Sequence, residues 1–260
     1  MKKLTLSALA LAIATLASAP SFAAEPGGTI EASYGHAVIS NDFGDADTLT
    51  VNGRFTETKD TTFTGGLVAL KSFHQHGAGI SGGVVQNLND MVYVTGNLFV
   101  SDNTLILPQY RVTAQANFKV GKGMILGVGG DHIVMRGGSN KNDALLLSAV
   151  YYVQSMPLIL QGDVRLDNAT PGDHKGERYG IAATYGTAGD WTLTGRADSG
   201  ISGYESTVVP GQLVRFPVKH QGLSYSKWLA KDYGVVVAAD NVTNQYYTRR
   251  EARVGAFFNF

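Results

Sequence analysis

The ten residues YRVTAQANFK, at positions 110–119, place apolar and polar side chains in strict alternation. Successive side chains of a β-strand point to opposite faces, so this stretch predicts a strand with one apolar face and one wet face. The same period of two recurs at residues 49–56, 158–167 and 191–198. No apolar pattern of helical period persists for three turns, and the sequence therefore predicts an all-β chain.

Turn residues divide the chain into about fourteen strands, with twelve or sixteen also compatible because the alternation is weak near residues 28–39 and 213–227. Their connections alternate between short turns and mostly longer loops. Short turns on one rim and longer loops on the other are typical of outer-membrane barrels, whose short rim faces the periplasm. The sequence therefore predicts a transmembrane antiparallel β-barrel. We place its strands at residues 28–39, 46–57, 62–73, 78–87, 91–100, 109–119, 123–135, 144–154, 157–166, 177–187, 190–199, 213–227, 232–241 and 247–260.

The first residues carry the features of a secretory signal peptide. Lys2 and Lys3 precede an apolar run that ends near residue 17, and the small residues Ser21 and Ala23 follow in a small-x-small pattern. The run is shorter than the roughly 20 residues of a spanning helix. We predict a signal peptide at residues 1–23, one barrel domain at residues 24–260, and a location in the outer membrane of a Gram-negative bacterium.

The composition narrows the class of protein further. The chain has no cysteine, so an exported form needs a large core or a closed hydrogen-bond network in place of disulfides. Its 21 basic and 21 acidic residues give no electrostatic footprint for nucleic acid. Its 32 glycines weaken strands in water, a cost that a closed sheet held in lipid can offset.

The final strand, EARVGAFFNF at residues 251–260, resembles the C-terminal signature of bacterial outer-membrane proteins. In that class the terminal Phe is recognised by the barrel-assembly machinery, so the resemblance implies this partner for Phe260, beside outer-membrane lipid and lipopolysaccharide. Aromatic residues near strand ends predict a membrane-interface girdle. Its predicted members are Tyr185, Trp191, Tyr225, Trp228, Phe258 and Phe260.

If the apolar faces contact lipid, the polar faces line the lumen. The predicted lumen or constriction residues are Arg54, Arg111, Asp163, Arg165, Arg178, Arg196, Asp198, Glu251 and Arg253. Together with Lys119 they contain seven basic and three acidic residues, so we expect a small anionic or saccharide solute if the lumen is open. The alternative is that these charges only neutralise one another and fill the interior.

No catalytic, cofactor or metal site is predicted. His220 and Ser224 share a face but lie about 13 Å apart along a strand, too far for a nucleophile and its base. His74 and His76 also share a face, yet no third ligand lies nearby. We therefore expect a protein that is not an enzyme.

Four stretches resemble the YaiO family of outer-membrane β-barrel proteins. They are LPQYRVTAQANFKVGKGMILGVGGDHIVM (107–135), LLLSAVYYVQSMPLILQGDVRL (145–166), RYGIAATYGTAGDWTLTGRADSG (178–200) and YYTRREARVGAFFNF (246–260). The resemblance implies fold and location, and supplies no catalytic residues.

Two functions remain open, and a third has little support. The first is a channel or exporter for small solutes or saccharides. The second is a structural or surface-interaction barrel without conductance, whose loop at residues 200–212 binds a partner through Tyr204 and Glu205. An enzyme at the barrel rim is the third.

Overall fold

The computed structural model describes residues 27–102, 106–135, 140–170, 174–205 and 213–260. Within these residues, fourteen strands pair antiparallel in chain order, and β1 closes the barrel against β14. The described residues contain no helix long and apolar enough to span a bilayer. The predicted signal peptide at residues 1–23 lies outside them. The strands are β1 (Gly27–Ile39), β2 (Asp45–Thr56), β3 (Thr61–Ser72), β4 (Gln75–Asn87), β5 (Val92–Ser101), β6 (Tyr110–Val120), β7 (Met124–Val134), β8 (Lys141–Val153), β9 (Leu158–Thr170), β10 (His174–Thr187), β11 (Trp191–Glu205), β12 (Leu213–Trp228), β13 (Tyr233–Asn244) and β14 (Thr248–Asn259).

The fourteen-stranded barrel confirms the predicted fold, and the main differences lie at the rim with the longer loops. There β9 continues to Thr170 and β11 to Glu205, beyond the predicted ends at residues 166 and 199. The connection between β3 and β4 is reduced to Phe73 and His74. Above the membrane both faces of a strand are wet, so the ladder can continue without the alternation that reveals a strand in the sequence.

The outer surface carries a continuous apolar belt. Alternate residues of each strand expose large apolar side chains, among them Ile30, Leu67, Ile181 and Val254. Toward the long-loop rim the belt ends at outward polar residues that pair directly across strands. These are the series His36, Asp47, Lys71 and His76, and the series His132, Asp143 and Asn168. The belt is therefore bounded, as expected for a surface that contacts the hydrocarbon layer.

The opposite face of each strand points into the barrel. Side chains converge only on the concave face of a closed sheet, and there Arg165 of β9 reaches Asp131 of β7 across the intervening β8. The inward residues are those that alternate with the belt residues along each strand, and most of them in the spanning strands are polar. The interior is therefore where the charged groups of the spanning strands meet.

Candidate functional site in the barrel interior

All nine predicted lumen residues lie on the inward face. Arg54 lies on β2, Arg111 on β6, Arg178 on β10, and the others on β9, β11 and β14. The structure brings six of them into one sector of the wall, from β6 to β11. Arg54 lies outside that sector, and Glu251 and Arg253 share β14.

The first group in this sector is the arginine arc, defined as Arg111, Arg165 and Arg178 with Asp131 and Asp167. Arg111 Nε donates to Asp131 Oδ1 at 2.7 Å, and Arg165 Nη1 donates to the other oxygen of the same carboxylate. Arg165 Nε donates to Asp167 Oδ1 at 2.7 Å. The Asp131 side chain is fully buried, and Arg165 is 8% exposed. These charge-assisted bonds fix both carboxylates against the wall.

Arg178 differs from its two neighbours in the arc. It lies directly opposite Arg165 in the register of β9 and β10. Asp167 and Asp198 attract it through space, yet among the described residues no carboxylate lies within ion-pairing distance of its guanidinium. Its Nε is buried and has no hydrogen-bond partner within the described part of the chain.

The second group is the histidine bridge, defined as Arg196, Asp198, His220 and Asp240 on β11, β12 and β13. His220 Nδ1 lies 2.8 Å from Asp198 Oδ2, and His220 Nε2 lies 2.8 Å from Asp240 Oδ1. Arg196 Nη2 donates to Asp198 Oδ2 at 3.3 Å. Carboxylates on both ring nitrogens suit an imidazole that donates from each of them.

Glycines on neighbouring strands give these side chains room to lie flat. A Cβ atom on Gly180 would fall 2.5 Å from the Asp163 carboxylate, its register partner. Gly222 is covered in the same way by the carboxylate of Asp240, and Gly35 by that of Glu251. The carboxylates therefore run along the wall and occupy the space above a neighbouring glycine.

The predicted basic excess of the interior is too large. The inward face also carries Arg249, which donates to Glu251 Oε2 at 2.5 Å, and further acidic residues that the sequence pattern did not reveal. Across the described strands the inward set becomes nearly balanced, because eight basic residues face seven acidic ones. The basic residues are Arg54, Arg111, Lys119, Arg165, Arg178, Arg196, Arg249 and Arg253, and the acidic residues are Glu31, Asp131, Asp163, Asp167, Asp198, Asp240 and Glu251.

Sequence parity could have found the additional residues. Met124, Leu126 and Val128 face outward, so counting by twos places Asp131 inside, although Gly127, Gly129 and Gly130 obscure the alternation there. Similar counting on β12 and β13 places His220 and Asp240 inside. The described residues contain no cluster of three or more side chains suited to a metal ion.

The mouth at the long-loop rim is narrowed by apolar groups. Ile106 and Leu107 of the β5–β6 loop are buried against the inward residues Val68, Leu70 and Phe99. Ser101 Oγ holds this loop by donating to the Pro108 carbonyl oxygen at 2.8 Å. Loop material therefore lies inside the barrel, in addition to the inward side chains of the strands.

An aromatic cluster continues the mouth on the β1–β4 side. Phe43, Phe73 and Tyr247 come from three different loops, and their ring centroids lie 5.6–6.0 Å apart. Burial in this cluster raises the pKa of the Tyr247 hydroxyl. Phe73 contacts both this cluster and the Leu107 cluster, so the two form one apolar arc.

Most predicted interface aromatics face outward at the short-turn rim. Tyr185, Trp191 and Tyr225 form a chain of rings across β10, β11 and β12, with centroids 5.8 Å and 6.3 Å apart. Phe258 and Phe260 stack on the outer surface.

Trp228 departs from the prediction of an interface position. It lies on the inward face and packs edge-on against buried Phe257, with centroids 4.9 Å apart. Counting by twos from the outward residues Leu223 and Tyr225 places Trp228 inside, and its register partner Gly234 leaves space for the Phe257 ring.

Comparison with known protein families agrees with the closed membrane barrel described above. Residues 28–205 match the model of the YaiO membrane beta barrel domain. No curated protein shows significant sequence similarity to the chain.

Solved structures share the fold at low identity. The CymD monoaromatic hydrocarbon channel is 8% identical with a TM-score of 0.60, covering 91% of this chain and 88% of its own. A bacterial polysaccharide outer membrane secretin is 10% identical with a TM-score of 0.55, covering 90% and 98%. The translocator domain of the autotransporter NalP from Neisseria meningitidis is 11% identical with a TM-score of 0.54, covering 91% and 90%. The fold is thus that of outer-membrane barrels.

Proposed function

Because this chain belongs to the YaiO membrane β-barrel family, we propose that it forms an outer-membrane channel or exporter for small polar solutes, including saccharides. One observation carries the proposal. Seven ion pairs between described inward residues each join groups on the same strand, on neighbouring strands or on next-neighbour strands. Charges that pair along the wall leave the centre of a fourteen-stranded barrel free for water and solute.

The chemistry of the wall favours a polar cargo. The interior presents guanidinium, carboxylate and amide groups over most of its height, and such groups exchange hydrogen bonds with sugar hydroxyls. The similar CymD barrel is named for monoaromatic hydrocarbons, and the similar secretin for a polysaccharide. A wall built from the arginine arc and the histidine bridge suits the second kind of cargo better, since an apolar solute would have to desolvate these charges.

The proposal includes a route to the membrane. The signal peptide at residues 1–23 directs export, and Phe260 is the residue through which the barrel-assembly machinery recognises the last strand. Outer-membrane lipid and lipopolysaccharide then contact the apolar belt and the outward polar residues above it. Phe260 suits this role because it lies outward at the seam, where its backbone N–H and carbonyl bond to Gly28.

The apolar arc at the mouth favours a second candidate, a barrel without conductance that acts through its surface. The described part of the predicted partner-binding loop belongs to β11, and residues 206–212 lie outside the described residues. The proposal contains no catalytic step, and His220, the histidine that shares a face with Ser224, has a carboxylate at each ring nitrogen.

Planar-bilayer recordings on the purified barrel test the proposal. We expect discrete conductance steps in salt solution that neutral oligosaccharides reduce from one side. Insertion without any conductance would refute the channel and favour the surface-interaction barrel.

A further inference from the structure

Two guanidinium groups of the arginine arc keep N–H groups without an acceptor among the described residues, although the charges of the whole interior are nearly balanced. Arg111, Arg165 and Arg178 are three cations beside the two carboxylates of Asp131 and Asp167. Both carboxylates are occupied by Arg111 and Arg165, and Asn142 also donates to Asp167 at 2.8 Å. One positive charge of the arc therefore remains without an ion-pair partner among the described residues.

That charge belongs to Arg178. Like charges directly opposite each other on neighbouring strands are destabilising, and Arg178 lies opposite Arg165. On its other side the register partner is Gly200, and the stem of Arg178 covers this glycine. The guanidinium is therefore held against the barrel wall. Its buried Nε–H has no hydrogen-bond acceptor among the described residues. Arg165 Nη2, across the register, is also buried without an acceptor there.

We propose that Arg178 and Arg165 form a binding site for the carboxylate of an acidic solute, such as an acidic sugar that enters the lumen. A carboxylate is planar and accepts two parallel hydrogen bonds from guanidinium donors. Its single negative charge suits the one guanidinium without an ion pair, whereas the second charge of a sulfate would be repelled by the nearby carboxylates of Asp163 and Asp198, which already act on Arg178 through space. The site takes its ligand from the lumen, so the inference rests on the proposed function and assigns it a class of substrate.

The test uses the full barrel in detergent, with glucuronate as the probe and glucose as its neutral match. Isothermal titration should detect binding of glucuronate and not of glucose. Arg178→Gln should weaken glucuronate binding about tenfold or more, the loss expected for a hydrogen bond to a charged group. Arg178→Lys should bind with intermediate affinity, because lysine keeps the charge and loses the planar fork.

Lys119→Gln is the control, since it removes one inward charge near the opposite end of β6. It should leave glucuronate affinity unchanged, which separates a local site from the general field of the lumen. Circular dichroism and the shift in gel mobility on heating verify that each variant is folded. Folding of Arg178→Gln is expected, because the change removes a like-charge pair.

Titration and conductance distinguish failure of the site from failure of the channel. Glucuronate binding that depends on Arg178 supports the site even in a barrel that does not conduct, and only the proposed channel then fails. Conductance with no glucuronate binding, or with equal affinity in wild type and Arg178→Gln, overturns the site and leaves the channel in place. Binding of inorganic sulfate without glucuronate overturns the assignment of a carboxylate.

Discussion

Asp131 on β7 is bonded to Arg165 on β9, two strands away, and the β8 backbone passes behind this contact. The same carboxylate accepts from Thr113 and Arg111 on β6 at 2.7 Å each. One buried acid thus connects β6, β7 and β9. It ties together strands that the backbone ladder joins only pairwise.

Replacing this acid by its neutral isostere should destabilise the barrel. We expect Asp131→Asn to lower the free energy of unfolding by about 3 kcal/mol, because it leaves two buried guanidinium groups without their shared counter-ion. Urea unfolding in lipid vesicles, followed by tryptophan fluorescence, measures the change. Asp143→Asn is the matched control, since that carboxylate is 65% exposed on the outer surface and should have little effect. Equal stability of the two variants would contradict a connecting role for Asp131.

The Asp240 carboxylate lies over Gly222 and leaves no room for a Cβ atom there. We expect Gly222→Ala to displace Asp240 and break its contact with His220 Nε2, at a cost of about 1–3 kcal/mol for an overpacked site. Unfolding in urea gives the cost, and the histidine ring resonances in NMR spectra report the lost contact. Gly82→Ala should be neutral or mildly stabilising, because nothing lies within 4 Å of the added methyl group. An unshifted His220 resonance in Gly222→Ala would argue against this packing.

The sequence predicted the barrel because lipid enforces alternation wherever a strand crosses the belt, as at residues 110–119. Two kinds of feature escaped prediction for physical reasons. Ile106 and Leu107 belong to a loop, where no periodicity tells an inward fold from an outward one. The position of Trp228 at a strand end favours an interface role, but its odd spacing from outward Tyr225 places it inside, where Phe257 packs against it. The alternation of each strand predicted which residues face the lumen. Which of them form ion pairs depends on the register between strands, and the sequence alone does not give that register.

The two-residue turn between β3 and β4 stores backbone strain. Phe73 and His74 have φ angles of 52° and 60°, in the left-handed region that favours glycine. We expect His74→Gly to stabilise the barrel by about 1 kcal/mol, the typical cost of this conformation for an L-residue. His76→Gly, in the extended strand β4, should instead destabilise slightly. Urea unfolding of both variants tests the opposite signs, and stabilisation by both would contradict this origin of the strain.

Substitutions of Phe260 and Phe258 distinguish an effect on assembly from an effect on contact with lipid. Both rings are exposed on the outer surface, at 58% and 52%, so their removal costs similar contact with lipid. We expect Phe260→Ala to reduce the amount of folded barrel in cells several-fold more than Phe258→Ala, because only the last ring is proposed to be read by the assembly machinery. Spontaneous folding of the two variants into lipid vesicles should be equally fast. A similar deficit of both variants in cells would contradict a specific role for Phe260.

The β5–β6 loop should set the width of the mouth. Leu107 is 1% exposed and holds the loop against Leu70 and Phe99. Leu107→Ala removes most of that contact, at a cost of about 2–5 kcal/mol for a buried leucine. We expect the loop to detach more often, so that single-channel recordings show a higher mean conductance with frequent transitions between levels. Leu88→Ala is the control, because Leu88 is 59% exposed in a short turn at the other rim and should leave the recordings unchanged. Wild-type conductance in a folded Leu107→Ala barrel would place the narrowest point elsewhere, at the level of the arginine arc or the histidine bridge.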